Sequence, residues 1–279
     1  MEKTGTLYIC PTPIGNLEDI TYRTIRILNE VDLIAAEDTR HTLKLLNHFE
    51  IKKPLISYHE HNKMGKGPVL IDKLNQGQSI ALVSDAGMPG ISDPGEDIIK
   101  LAIEEGIDVV GLPGPSASIL ALVISGLPTK RFVFEGFLPA KKKDKEAKWV
   151  ELQSETRTII MYESPHHLKK YLKELENHLG NRKIALCREL TKTYEEIFRG
   201  TVETAIAYYE EHDPRGEYVI IIEGGQVQVA QDMDFEERTI PEWVTYFMAE
   251  GLDKKEAVKK TAKQFGLSKN EVYMETLDM

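Results

Sequence analysis

The fold is decided by one segment of the sequence, Ser84-Asp85-Ala86-Gly87-Met88-Pro89-Gly90-Ile91-Ser92-Asp93-Pro94-Gly95. The apolar run 79–83 before it predicts a buried strand, and the pattern over 96–106 after it predicts a helix. Three glycines and two prolines in this segment require a loop. Open α/β sheets bind ligands at loops that follow their strands. A plain connecting turn is the alternative, although twelve residues are long for one.

The first half of the chain alternates strands with helices. Apolar runs predict five strands, at residues 6–10, 31–36, 54–58, 79–83 and 108–112. The first helix is predicted over 20–30 with Asp19 as its N-cap, and the second has Leu43, Leu45, Leu46 and Phe49 on its buried side. This alternation indicates parallel pairing with right-handed crossovers. Because each strand ends in polar residues, glycine or proline, we expect the chemistry along one rim of the sheet.

The second half predicts a different sheet. Five more strands are expected at 131–134, 158–162, 183–187, 195–201 and 218–222, with only three helices between them. The short connection between the third and the fourth indicates an antiparallel pair, so this sheet is mixed. The predicted fold class is therefore α/β, with a parallel-sheet domain at 1–118, a mixed-sheet domain at 119–225 that completes a ligand cleft, a linker at 226–238 and a helical C-terminal element at 239–279.

The composition limits the binding partners and the cellular compartment that we expect for this protein. The net charge of −10 argues against binding of polyanions by the whole surface, so any nucleic-acid contact needs local basic patches. No run of roughly 18 apolar residues occurs, and the N-terminal residues lack a signal-peptide layout. Cys10 and Cys187 lie in separate predicted strands, which favours buried, reduced thiols. We therefore expect a cytoplasmic protein without a membrane span.

Several familiar sites have no counterpart in the sequence. It contains no G-x-x-x-x-G-K-[ST] phosphate loop, no G-x-G-x-x-G after the first strand and no G-x-S-x-G nucleophile elbow. His59 and His61 flank Glu60, but no third ligand follows at a fixed spacing. We expect neither a nucleoside-triphosphate loop nor a metal centre.

The motifs on the predicted rim resemble those of one family. In the first half they are Pro11-Thr12-Pro13-Ile14-Gly15-Asn16, Ala36-Glu37-Asp38-Thr39-Arg40, Ser57-Tyr58-His59-Glu60-His61-Asn62, 84–95 and 111–116. In the second half they are Glu135-Gly136-Phe137-Leu138-Pro139, Tyr162-Glu163-Ser164-Pro165-His166-His167, Arg188-Glu189-Leu190-Thr191-Lys192 and Gly216-Glu217-Tyr218. In this order they are similar to the small-subunit ribosomal RNA methyltransferase I family, which belongs to the tetrapyrrole-methylase superfamily of S-adenosylmethionine enzymes. This chain has His167 where that family usually has an arginine.

The resemblance implies transfer of a methyl group from S-adenosylmethionine to the ribose 2′-hydroxyl of a cytidine in 16S ribosomal RNA. It also implies 16S rRNA or the small ribosomal subunit as partner, and a homodimer. Such a displacement needs aligned partners but no metal or covalent intermediate. The cofactor-binding residues that it implies are Pro13, Asp85, Gly87, Met88, Pro89, Ser92, Pro113, Ser116, Ala117 and Leu190. Asp85 has an alternative role, in an Asx turn with its own backbone.

The acceptor hydroxyl needs a general base that draws its proton away. The candidates for this base, or for holding the ribose, are Asp38, His59, Glu60, Glu163 and Glu189. Histidine titrates closest to neutral pH, whereas a carboxylate would need burial to raise its pKa. A helix cap or an ion pair is the structural alternative for each, and the sequence selects none of them.

RNA binding needs local positive charge. The candidates for phosphate or substrate binding are Arg40, Lys141, Lys142, Lys143, Arg188 and Lys192. A solvated helix face would also explain the lysine run that begins at Lys141. The C-terminal helices are rich in lysine as well, which fits a surface that grips RNA or a small bundle with Val258, Phe265 and Leu267 in its core.

Two other functions stay open on the sequence. One is methylation of a tetrapyrrole or another small molecule by a member of the same superfamily. The other is a non-enzymatic, ribosome-associated RNA-binding protein that kept the fold. The basic residues favour RNA over a small acceptor, while failure to bind S-adenosylmethionine would favour the non-enzymatic role.

Overall fold

The computed structural model describes residues 4–225, 239–249 and 251–276. The predicted linker at 226–238 lies outside these residues. The chain divides into two compact units, Met1–Gly225 and Gln226–Met279. Across the described ranges, no helix combines the length and the apolar character that crossing a membrane requires.

The first half of the larger unit contains a parallel sheet, which confirms the prediction. Its strands are β1 (Thr6–Ile9), β2 (Leu33–Ala36), β3 (Leu55–Ser57), β4 (Ile80–Val83) and β5 (Asp108–Gly111). They lie in the order β3-β2-β4-β1-β5, and every neighbouring pair is parallel. All residues of β2 and β4 are buried because apolar clusters cover both faces of the sheet.

Four helices connect these strands. They are α1 (Tyr22–Glu30), α2 (Thr39–His48), α3 (Lys63–Asn75) and α4 (Gly95–Glu104). Two predictions about them are wrong. The helix α1 begins at Tyr22 because Thr21, rather than Asp19, is its N-cap, with the Thr21 side chain accepting from the Thr24 N–H at 3.0 Å. On α2, Leu45 and Leu46 are buried as predicted, but Leu43 is 48% exposed because it lies off the face that these two residues form.

The second half of the larger unit contains the mixed sheet, which confirms the predicted fold class. Its strands are β6 (Phe132–Gly136), β7 (Thr158–Glu163), β8 (Lys183–Arg188), β9 (Glu196–Thr201) and β10 (Tyr218–Ile222). They lie in the order β6-β7-β10-β8-β9. The pair β6–β7 is parallel and the others are antiparallel, including the β8–β9 pair indicated by its short connection.

Helices cover both faces of the second sheet. They are α5 (Ala117–Ile124), α6 (Lys142–Gln153), α7 (Pro165–Leu179) and α8 (Val202–Glu211). Trp149 of α6 and Leu172 of α7 are buried in the cluster on one face, and Leu122 of α5 is buried in the cluster on the other. The predicted division between the first two domains follows residue 118 and falls within α5. The domain limits themselves stay a prediction.

The smaller unit contains three helices in its described residues. They are α9 (Ile240–Ala249), α10 (Lys254–Phe265) and α11 (Lys269–Met274). Val258 packs in their apolar core with Trp243 and Phe247, as the sequence predicted for Val258. The prediction for Phe265 and Leu267 is wrong, because they are 41% and 36% exposed. Gly266, with a φ of +65°, ends α10 between them and turns the chain away.

Both cysteines are free and buried, and burial raises the pKa of Cys10 and of Cys187 to about 12. Because the thiolate is the reactive form, we expect neither thiol to react with Ellman's reagent at pH 8 in the folded protein. After unfolding in guanidinium chloride, two thiols per chain should react. Rapid reaction of the folded protein would contradict the buried positions of these side chains.

Candidate functional site

Residues of both sheets in the larger unit line a cavity of about 420 Å³, the first cavity. Its walls come from the loop after β4, the start of α5, the end of β7, the residues after β8 and the start of β10. The volume is within the usual range for ligand pockets. The cavity lies where the sequence predicted a cleft, so the loop after β4 is more than a connecting turn.

Hydrogen bonds fix the shape of this loop. Thr12 and Gly87 exchange two backbone hydrogen bonds of 3.0 Å, which join the residues after β1 to those after β4. The Oδ1 atom of Asp93 accepts from the backbone N–H groups of Gly90 and Gly95, at 2.8 and 2.7 Å. Gly87 has a φ of +81°, which residues with a side chain rarely adopt. The loop therefore has one defined path along the cavity wall.

Unusual backbone conformations gather beside the first cavity. Ser92, Glu189 and Thr191 have φ angles of 63°, 48° and 65°, in the left-handed region. Ser92 and Glu189 line the cavity, and Thr191 follows the lining residue Leu190. Such conformations persist only where the surrounding contacts enforce them, and they cluster at functional sites. Their position supports the first cavity as the functional site.

Most of the predicted cofactor residues lie together. Seven of the ten line the first cavity, namely Asp85, Gly87, Met88, Ser92, Ser116, Ala117 and Leu190. Pro13, Pro89 and Pro113 are not among its lining residues, and Pro89 is buried within the loop. The Oδ1 atom of Asp85 accepts from the backbone N–H of Asp38 at 3.0 Å, which joins the ends of β4 and β2 instead of forming a local turn. The contacts of these residues with a cofactor stay a prediction.

The lining of the first cavity is strongly acidic. Among the described residues it contains one lysine, Lys192, and six carboxylates, from Glu37, Asp85, Asp93, Glu163, Glu189 and Glu217. Burial, and then the charges of Asp85 and Asp93, raise the pKa of Glu37. The sequence reasoning missed Glu37, although it directly follows β2 and the strand-end rule could have found it. A cavity with this charge suits a cationic ligand.

Two of the predicted catalytic residues, Glu163 and Glu189, line the first cavity. The Oε1 atom of Glu189 accepts from Lys192 Nζ at 3.0 Å and from the backbone N–H of Glu217 at 2.9 Å. Burial alone would raise the pKa of Glu189, but these hydrogen bonds outweigh it and lower the value. The Oε1 atom of Glu163 accepts from the N–H of Ser164 at 2.7 Å. Glu189 is thus held as an anion, whereas Glu163 Oε1 lies 3.7 Å from His167 Nδ1, a partner that is charged only when the ring is protonated.

The other catalytic candidates lie outside the first cavity. His59 Nε2 is 3.1 Å from Asn62 Nδ2, and Glu60 forms an ion pair with Lys63 at 2.9 Å. Asp38 is the N-cap of α2, and its hydrogen bonds with Arg40 lower its pKa. Across the described part of the chain, no group of three or more histidine, cysteine or acidic residues could hold a metal ion. Asp38 thus caps a helix and Glu60 forms an ion pair, whereas the His59 ring is hydrogen-bonded to Asn62.

Among the predicted substrate-binding residues, only Lys192 lines the first cavity. Arg40 pairs with Asp38 at 2.7 Å, and Arg188 pairs with Glu196 at 2.7 Å. Lys141, Lys142 and Lys143 are exposed at the start of α6. Their roles in substrate binding stay predictions.

A second cavity, of about 510 Å³, adjoins the first. The two share Phe137, Glu163 and Ser164 as lining residues. The second cavity also includes the basic residues Lys145 and Lys170. Sequence reasoning did not find this cavity, because it forms where β6, α6 and α7 meet.

The fold and the first cavity define a class of protein, the methylases built from two α/β halves. The sequence model of the family described as "Tetrapyrrole (Corrin/Porphyrin) Methylases" matches residues 6–206 of this chain. The structure of diphthine synthase is similar with a TM-score of 0.60 and 13% identity, covering 79% of this chain and 90% of that one. The structure of a cobalt precorrin-4 methyltransferase is similar with a TM-score of 0.58 and 18% identity, covering 78% of this chain and 94% of that one. At these identities the similarity shows the fold alone.

Similarity in sequence extends along nearly the whole chain. Ribosomal RNA small subunit methyltransferase I of Halalkalibacterium halodurans is 51% identical over 270 residues, or 96% of this chain and 93% of that protein. The proteins with the same name from Synechocystis sp. and Bacillus subtilis are 46% and 47% identical, covering 99% and 96% of this chain and 98% and 93% of theirs. The chain belongs to the ribosomal RNA small subunit methyltransferase I family of tetrapyrrole methylases.

Proposed function

We propose that the protein transfers the methyl group of S-adenosylmethionine to the ribose 2′-hydroxyl of a cytidine in 16S ribosomal RNA. The acidic lining of the first cavity is the observation that carries this proposal. S-adenosylmethionine bears a sulfonium and an ammonium group, and when bound it supplies an electrophilic methyl group. The carboxylates of Glu37, Asp85 and Asp93 would offset these positive charges. The backbone around Gly87 and Met88 would hold its polar groups.

Glu163 is the general base that the geometry favours. His59 and Glu60 line neither cavity. Although burial opposes it, hydrogen bonds from Lys192 and from the Glu217 N–H lower the pKa of Glu189, which makes it a weaker base. Glu163 lines both cavities, and its side chain is 12% exposed. We assign to it the removal of the proton from the ribose hydroxyl as the new bond to carbon forms. The cavity walls contribute by aligning the two reactants.

The relatives' names and the basic residues both support an RNA acceptor over a tetrapyrrole. Proteins named for the small-subunit rRNA are about half identical to this chain, whereas the precorrin methyltransferase is 18% identical. Exposed lysines at 141–143 directly follow Ala140, which lines the second cavity. We also propose 16S rRNA or the assembled small subunit as the partner, a cytoplasmic location, and a homodimer.

Two measurements test this function. Calorimetry with S-adenosylmethionine should show saturable binding, and its absence would favour a non-enzymatic, ribosome-associated protein. Labelled cofactor should then be incubated with 16S rRNA and with small subunits from cells that lack the gene. We expect label on a cytidine ribose after nuclease digestion. Binding of the cofactor without label on any ribose would contradict the RNA acceptor and favour a small-molecule substrate.

A further inference from the structure

None of the residues predicted to bind the methyl donor lines the second cavity. It adjoins the first cavity along a wall formed by Phe137, Glu163 and Ser164. Its volume of about 510 Å³ is within the range of ligand pockets. Because Glu163 faces both cavities, an acceptor group at this wall would lie beside the proposed base. The second cavity is therefore on the acceptor side of the site.

Phe137 is an exposed aromatic side chain on the shared wall. Phe137 is 59% exposed, although its side chain is apolar. One side of the ring contacts Tyr162, with ring centroids 5.5 Å apart at an angle of 62°. Tyr162 in turn packs on Phe134, with centroids 5.2 Å apart. The Phe137 ring thus packs against another ring and is still largely exposed, so it can stack on a base as aromatic rings do in proteins that bind single-stranded RNA.

Cationic groups also line the second cavity. Lys145 Nζ lies 3.0 and 2.9 Å from the two carboxylate oxygens of Glu174. Lys170 Nζ is 3.7 Å from the same carboxylate, and its side chain is 75% exposed. Because Lys145 engages both oxygens, Lys170 keeps donors that can reach an incoming phosphate. A phosphate there would also meet His167, in the first turn of α7.

We propose that the second cavity binds an unstacked nucleotide of the RNA, with its base on Phe137 and a phosphate near Lys170. This inference rests on the proposed function and names a subsite for its acceptor. An aromatic ring and a cation that line one cavity match the two parts of a nucleotide. The shared wall then brings the ribose between them to Glu163. A corrin or porphyrin has no phosphate for Lys170 to bind.

The first test compares three substitutions of Phe137. We expect Phe137→Ala and Phe137→Leu to raise the KM for small ribosomal subunits roughly 5- to 150-fold, the loss typical of one stacked base. Phe137→Tyr keeps the ring and should remain within about threefold of the original KM. A single-stranded RNA carrying one 2-aminopurine gives a direct readout, because stacking on Phe137 quenches its fluorescence. Quenching should persist with the tyrosine variant and disappear with the leucine variant.

The second test uses two lysines of α7. Lys170→Gln should weaken RNA binding and reduce its salt dependence, whereas Lys173→Gln, at a residue outside the cavity lining, should not. Calorimetry with S-adenosylmethionine should give the same affinity for both variants. An unchanged KM in Phe137→Leu and Lys170→Gln would overturn the subsite. If the unmodified protein binds the cofactor but methylates no subunit, the proposed function has failed instead.

Discussion

Glu163→Gln should lower kcat for RNA methylation by roughly 10²- to 10⁴-fold, the usual contribution of a general base. Glutamine keeps a carbonyl oxygen that can accept the Ser164 N–H, now bonded to Glu163 Oε1 at 2.7 Å. The wall between the two cavities should therefore keep its shape. Glutamine cannot take up the proton of the ribose hydroxyl. We expect S-adenosylmethionine binding to change much less than kcat, because Glu37, Asp85 and Asp93, the carboxylates proposed to offset its charges, are kept.

Two comparisons make this result specific. Glu60→Gln changes another sequence candidate, whose carboxylate pairs with Lys63 and lines neither cavity, and should leave kcat within about twofold. Single-turnover rates would separate the methyl-transfer step from product release. If Glu163→Gln has the same single-turnover rate as the unmodified protein, Glu163 is not the base. Glu37, whose pKa burial raises, is then the next carboxylate to replace.

Asp93→Ala should weaken S-adenosylmethionine binding at least about tenfold. Asp93 Oδ1 accepts two backbone N–H groups, from Gly90 and Gly95, and a half-buried donor without a partner costs about 1–3 kcal/mol. Alanine leaves both of these N–H groups without their acceptor. The loop after β4 should then leave its present path, and the first cavity should lose one wall. Since about 1.4 kcal/mol equals a tenfold change in affinity, even part of this cost is measurable by calorimetry.

Asp93→Asn is the matched control. Its amide keeps a carbonyl oxygen at the position of Oδ1 but carries no charge. Burial already raises the pKa of Asp93, so the loss of its charge should cost less than the loss of its hydrogen bonds. We expect asparagine, which loses the charge but keeps the acceptor, to bind the cofactor more tightly than alanine does. Equal affinities for all three proteins would show that the loop does not shape the cofactor site.

The elements of the fold could be predicted because their signals are local. Short apolar runs and the residues that end them predicted the parallel strands, and the short connection between β8 and β9 predicted their antiparallel pairing. The glycines and prolines of 84–95 predicted a loop at the end of β4, since few other conformations are open to them. Competing local signals caused the errors. Both Asp19 and Thr21 are good caps, and only the structure shows that Thr21 begins α1.

The sequence by itself determined the strand order along the chain, the loop and the set of residues that could form a site. The tertiary structure decided which of them meet. It brought Glu163 and Glu189 to the first cavity, left His59 and Glu60 outside it, and opened a second cavity beside Phe137. Neither cavity belongs to one segment, because each forms where separate elements pack together. The physical reason is that periodicity and turn chemistry act over a few residues, whereas a cavity depends on contacts between residues far apart in the chain.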